Sequence, residues 1–198
     1  MNGQRRSRGF TLVEIIVVIG VIAILAAILT PYVTKYIDDS RVAKARNETQ
    51  VICAAVTNFY KDTGRWPNAT NATTTPTNNY LGVHSGTTAP AAAFFGATNW
   101  TAVASWNPLD QHLIRSVIHV YRTTGDQRWN GPYATELPLD PWGRPYVINA
   151  RELDTQPLPP AAPIPAWVMS AGPNGVLDTS ILAAVTVPVG DDIGFRIR

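Results

Sequence analysis

Cysteine is nearly absent from this chain: among 198 residues there is one, Cys53. A single thiol excludes an intramolecular disulfide and any zinc or haem site built from several cysteines. Charge is scarce too, at 15% charged residues against 45% hydrophobic ones. That balance excludes a disordered tail and fits one folded domain with an appendage. The formal charge is +2, but residues 1–9 carry Arg5, Arg6 and Arg8 and no acid, and the remainder holds 13 basic against 14 acidic residues, a net −1. Basicity therefore belongs to the first nine residues, and composition makes no case for a nucleic-acid partner. No nucleophile and base, phosphate-binding loop or general-acid dyad stands out, so an enzymatic role has no residue-level support.

What is present begins with an apolar run. Residues 10–29 contain one charge, Glu14. At helical rise, such a run is long enough to cross a hydrocarbon core of about 30 Å. The arginines before it stay on the cytoplasmic side and place everything after about residue 30 outside. A secretory signal cut near Ala26 and Ala27 is the competing reading, and it calls for a shorter core without an internal acid. A carboxylate at membrane depth is costly, so Glu14 needs a partner.

Past Pro31 the helical pattern continues. Val42, Ala45, Thr49, Ile52, Val56 and Phe59 recur at steps of three and four and form a narrow apolar stripe, with Lys44, Arg46, Glu48 and Lys61 elsewhere on the wheel. One helix over residues 10–62 is expected, with Gly20 and Pro31 as weak points and a kink or locally melted turn at the proline. Gly64 and Pro67 end it.

Residues 68–79, NATNATTTPTNN, lack the apolar surface to order a core element and read as exposed loop. Residues 80–108 also read as loop, with Phe94, Phe95, Trp100 and Trp106 packing it onto the helix. A second helix is expected over residues 110–122, capped by Asp110, with Leu113, Ile114, Val117, Ile118 and Tyr121 on its buried face. The last third reads as a small antiparallel sheet: a DPWGRP turn at residues 140–145, strands at 146–148, 167–170 and 193–198, and a proline-rich excursion at 156–165. The fold class is α+β, a helical spine with a head of helix, loops and a small sheet.

The stretch Gly9-Phe10-Thr11-Leu12-Val13-Glu14, after a basic leader and at the mouth of a membrane-length helix, resembles the prepilin cleavage motif of the type IV filament superfamily. Type IV pilins and the pseudopilins of competence and type II secretion belong to it. The resemblance implies a type IV pilin-like fold, cleavage after Gly9 by a dedicated prepilin peptidase, and methylation of the new amino terminus at Phe10. Cleavage would leave a charged amine one helical turn from Glu14, and in a packed bundle the amine of one subunit can meet the carboxylate of the next. Glu14 would then set filament register, and Pro31 would let the helix adjust between membrane and filament.

Further islands narrow the resemblance. YKDTGRWP at 60–67, Gly131-Pro132-Tyr133, LPLDPWGRPY at 137–146 and SAGPNG at 170–175 occur in the order seen in the major pseudopilin of type II secretion systems. Taken singly they are turn chemistry; their joint order carries the resemblance. It divides the chain into a leader at 1–9, a transmembrane or filament-core helix at 10–30, its amphipathic continuation at 31–64, a variable insert with loop and short helix at 65–130, and a sheet region at 131–198. It also implies a homo-oligomeric helical filament, made with other pseudopilins and an inner-membrane assembly platform. The chain would cross the bacterial inner membrane once, with a periplasmic head that joins a periplasmic pseudopilus.

Such pseudopilins hold Ca2+ in the loop before the last strand. The matching residues are Asp178, Asp191 and Asp192, with the carbonyls of Leu177 and Val189, all hard oxygen donors suited to calcium. The apolar insert at 181–188 departs from the compact family loop, and solvated turn aspartates are the plainer reading. His112 and His119 read as a surface pair, Cys53 as a small packed residue, and the Asn68, Asn71 and Asn99 sequons as products of composition. A surface type IV pilin for adhesion, motility or DNA uptake is the alternative; a membrane-tethered domain that forms no filament is the third.

Overall fold

The structure is a computed structural model and describes residues 9–68, 82–96, 100, 106–116, 121–153, 165–180 and 187–198. Helix α1 is Leu12–Thr63. Its first half is rich in Ile and Val, which are mediocre helix formers, but a segment that leaves water must satisfy every backbone group internally. Pro31 lies within the helix, and the expected melted turn is absent. Pro31 removes one donor, and the turn on either side is tied by the hydroxyls of Thr30, bonded to Ala26 O at 2.7 Å, and Thr34, bonded to Thr30 O at 3.1 Å.

The chain divides into two compact units between Ser40 and Arg41. In the first, every large apolar side chain from Leu12 to Ile37 is exposed, none less than 47%. The second unit builds a core. There α1 buries Ala45, Thr49, Ile52, Cys53, Ala55, Val56, Phe59 and Thr63, which is the expected stripe widened by one flank. The helix ends as anticipated: Gly64 takes φ +66° and its N–H donates to Tyr60 O at 2.8 Å.

Five short strands form one sheet: β1 Gly82–His84, β2 Trp106–Pro108, β3 Val147–Asn149, β4 Trp167–Ser170 and β5 Ile193–Arg196, in the order β2-β1-β3-β4-β5. The sheet is mixed, because β1 and β2 run parallel while the remaining pairs are antiparallel. An all-antiparallel sheet confined to residues 131–198 was expected; instead two strands come from the insert. Their loop-like composition hid them: each has three residues, too short for alternation to show.

One face of the sheet, through Val83, Ile148 and Val168, packs with Ile52, Val56 and Phe59 of α1. The opposite face, through Val147 and Met169, packs with Phe94, Phe95, Trp100, Ala171 and Leu177. Phe94, Phe95 and Trp100 therefore do not coat the helix; among the insert aromatics Tyr121 does, edge-on to Phe59. Phe95, Trp100 and Trp106 stack on one another with interplanar angles of 6°, 14° and 15°. The edge strand β5 meets α1, where the Cys53 thiol donates to Arg196 O at 3.7 Å.

The second helix is shorter than its apolar pattern suggests. Helix α2 is Asp110–Leu113, and Ser116 adopts φ 46°. Asp110 is not its cap: Leu109 holds that position, and the Asp110 carboxylate pairs with Arg115. Nor is His112 on the surface. It is fully buried, takes a hydrogen bond at Nε2 from the Asn107 amide (2.9 Å), and meets the Tyr121 hydroxyl through Nδ1 at 2.6 Å. His119, Val117 and Ile118 lie outside the described residues.

Burial pushes the His112 pKa down to about 4. Since an unfolded histidine titrates near 6.5, the unfolded state takes up the proton first as pH falls. The head should keep its full stability above pH 6.5 and lose on the order of 3 kcal/mol by pH 4 through this residue. Thermal unfolding of the full chain in detergent at several pH values checks this, and His112→Gln should flatten that part of the slope. An unchanged slope in the variant would refute the assignment.

Candidate functional site

The amino-terminal segment is built for access. Gly9 and Phe10 precede the first turn, are not helical, and are exposed, Phe10 by 83%. Thr11 then caps the helix. Its N–H and its hydroxyl both donate to Glu14 Oε2 at 2.8 Å, while the Glu14 N–H donates back to Thr11 Oγ1 at 3.3 Å. This is a capping box, in which a threonine and a glutamate three residues on satisfy each other's backbone donors. Glu14 is therefore partnered within its own chain, by the residue that follows Phe10. Thr11 was overlooked in the sequence, although Thr-x-x-Glu at the mouth of an apolar run is the legible signal.

In the head, the sequence islands meet. Asp140 is buried; its Oδ1 accepts from the N–H groups of Trp142 (3.0 Å) and Arg144 (2.8 Å), and its Oδ2 accepts from Ser170 Oγ at 2.7 Å. Arg144 donates to Gly172 O at 3.0 Å, and its guanidinium fills the space above Gly175, where an added Cβ would lie 2.1 Å away. Tyr133 donates to Asp62 Oδ2 at 3.0 Å and sets its ring edge-on to Phe59. Tyr60 stacks on Trp66. The islands are thus contacts between chain segments as well as turns.

Asp178, Asp191 and Asp192 are linked through hydrogen bonds to Asn174, Asp178 and Thr179. Asp192 is 8% exposed; its Oδ2 accepts from the N–H groups of Asp178 (2.9 Å) and Thr179 (2.6 Å), and its Oδ1 is buried without a partner. Burial pushes its pKa up to about 6 against the pull of those donors. Asn174 links the other two: its N–H donates to Asp191 Oδ2 at 2.8 Å and its Nδ2 to Asp178 Oδ2 at 3.1 Å. Gly172 admits the loop, since a Cβ there would sit 2.1 Å from Asp191 O.

Val189 O accepts the Asp192 N–H at 3.3 Å, and Leu177 is buried. Among the described residues no three acidic, histidine or cysteine side chains converge as a ready ligand cluster. A hard cation here would use the orphaned Asp192 oxygen, the exposed Asp178 and carbonyls, an all-oxygen set of the kind calcium takes. Residues 181–186 of the apolar insert lie outside the described residues. Asn68 is buried and its Nδ2 donates to Ala150 O; the rest of its sequon, Asn71 and Asn99 lie outside the described residues.

Comparison with known proteins bears on both regions. Residues 4–30 match the family described as the prokaryotic N-terminal methylation motif, and residues 108–179 match type II secretion system (T2SS) protein G. Both matches agree with the resemblance to the type IV filament superfamily. It is 26% identical to the type II secretion system core protein G of Pseudomonas aeruginosa over 74% of this chain and 76% of that protein. It is 42% identical to fimbrial protein EcpC of Eikenella corrodens and 37% identical to a type IV major pilin, PilE1, of Neisseria gonorrhoeae. Each of those matches covers 60 residues, 30% of this chain, and 39% and 36% of the relative. No solved structure matches. The protein G match includes Asp178 and stops before Asp191 and Asp192, beyond the apolar insert.

Removing the Asp192 carboxylate strips the acceptor from two backbone donors, one of them on buried Thr179. Asp192→Ala should cost about 1–3 kcal/mol for each donor left unsatisfied, whereas Asp192→Asn keeps an oxygen for both and should cost less. Thermal unfolding of the full chain in detergent measures the difference; equal losses would show that the two bonds do not hold the loop.

Proposed function

We propose that this protein is a structural pseudopilin of a type II secretion system, without catalytic activity of its own. A prepilin peptidase cuts after Gly9 and Phe10 becomes the methylated amino terminus. The helix is anchored in the inner membrane with the head in the periplasm, and copies of the chain polymerise, with accessory pseudopilins and an assembly platform, into a periplasmic pseudopilus that moves substrates outward. The observation that carries the reading is the first unit: from Leu12 to Ile37 no large apolar side chain is covered by the rest of the chain. Lipid can cover it first, and neighbouring copies of the same helix can cover it in a filament.

Within that reading Glu14 acts in assembly. Its capping bonds to Thr11 hold the carboxylate at the first turn, on the residue that follows the amine cleavage would create at Phe10. The amine of a neighbouring copy can then replace part of this local partnership and fix the axial register. Pro31 serves as the point where the helix adapts. Glu14→Leu should be inserted and cut after Gly9 normally but should form no filament in a pulldown or crosslinking assay of membranes. Normal polymerisation of the variant would sink this role.

Calcium is the proposed ligand of the head loop. Asp178, Asp191 and the free oxygen of Asp192 would hold it together with the carbonyls of Leu177 and Val189, and its charge would relieve the repulsion among three carboxylates in one loop. Support comes from the buried Oδ1 of Asp192, which lacks a partner. Titration calorimetry on the full chain in detergent should detect binding in the micromolar to millimolar range; silence at millimolar calcium would return these residues to ordinary turn chemistry.

A surface type IV pilin is the second reading, favoured by the pilin matches of 37–42% identity over 60 residues. Mass spectrometry of sheared cell-surface material and of membranes at native expression separates the two. Retention in the membrane with Phe10 methylated supports the pseudopilus; abundance in the sheared material would replace it with the pilin.

A further inference from the structure

The insert touches the aspartate loop at Val176, Leu177 and Thr179. A 3-10 turn at Ala92–Phe94 leads into Phe95, which bridges Leu177 in parallel, and the Leu177 N–H donates to Phe94 O at 2.9 Å. Gly96 allows this approach, because a Cβ there would stand 2.8 Å from Val176 Cγ1 and 3.8 Å from Asp178 Oδ1. Trp100, only 2% exposed, donates its indole N–H to Thr179 O at 2.8 Å.

Thr179 is the junction. Its carbonyl is held by Trp100, its N–H by Asp192 Oδ2 at 2.6 Å, and its hydroxyl accepts the Val189 N–H at 2.8 Å. Residues 177–179 are therefore fixed on one side by the insert and on the other by the carboxylate that would face a cation. Phe94, Phe95 and Trp100 in turn pack on the sheet through Val147 and Met169, so the brace is anchored in the core.

We propose that Phe94, Phe95, Gly96 and Trp100 of the insert form a positioning element for the cation loop. They hold the Leu177–Thr179 backbone in the conformation that presents Asp178 and the Asp192 oxygen together, so that the ion does not have to order the loop on binding. Trp100 is its key positioning residue. The proposal rests on the calcium reading above for its purpose, while the brace can be measured without the ion.

The test compares the full chain in detergent with Trp100→Phe, which keeps an aromatic ring and removes the indole donor. Two quantities are read: hydrogen exchange of the Asp178 and Thr179 amides without calcium, and the calcium Kd. Loss of one hydrogen bond should speed exchange at these amides about fivefold and weaken calcium about as much, with exchange in β3 and β4 unchanged. Unchanged exchange at Asp178 and Thr179 in the variant overturns the proposal. So does an unchanged calcium Kd where the wild-type protein binds. If the wild-type protein binds no calcium, the calcium reading falls and the exchange measurement alone decides whether the insert holds the loop. Should the variant lose protection in β3 and β4 as well, the wild-type protein decides: slow exchange of the Trp100 indole proton upholds the brace, and free exchange overturns it.

Discussion

Everything in this protein follows from one demand: an apolar helix surface that its own chain does not cover. From Leu12 to Ile37 the side chains that would form a core in a soluble protein are all exposed. Burying a large aliphatic side chain contributes about 1.5–3 kcal/mol, so many exposed together leave the segment with a strong need for a nonaqueous neighbour. The capping box of Thr11 and Glu14 is consistent with this demand, since backbone donors at the start of such a helix have little water to turn to.

The second half of the same helix solves the opposite problem. It must hold a head whose strands have three or four residues each, too short to be stable alone. Val56 and Phe59 bury completely against the sheet, and polar side chains close the seams: Tyr146 donates to Glu48 at 2.5 Å, and the Cys53 thiol meets the edge strand. Asp140 does the same for the turns. A buried carboxylate with three donors is tolerated because each bond offsets part of its desolvation, and it ties the turn at 140–144 to β4. Loops with little regular structure can in this way be as well fixed as the strands they connect.

The insert is integrated rather than appended. It supplies two strands, a buried His112 with its polar partners, and the aromatic layer beneath the loop of Leu177. None of this was visible from composition: Trp106 in β2 and the aromatics near it read equally well as a loop lying on the helix. The pattern from Leu113 to Tyr121 has helical spacing, yet α2 stops at Leu113 and Ser116 takes φ 46°, because apolar spacing alone does not fix where a short helix ends.

The sequence by itself determined the elements whose physics is local. A long apolar run, a glycine and a proline after the last turn, and a cleavage motif at a helix mouth state their meaning without reference to distant residues, and α1, its end at Gly64 and the exposed Gly9 to Phe10 segment follow from them. The match to the N-terminal methylation motif was legible for the same reason, in contiguous residues. Tertiary structure alone decided the pairing of β1 with β2 and β3, the burial of His112, and the meeting of Trp100, Thr179 and Asp192. Those depend on contacts between residues from 5 to 79 positions apart, and short strands and single hydrogen bonds leave no periodic trace in the chain that makes them.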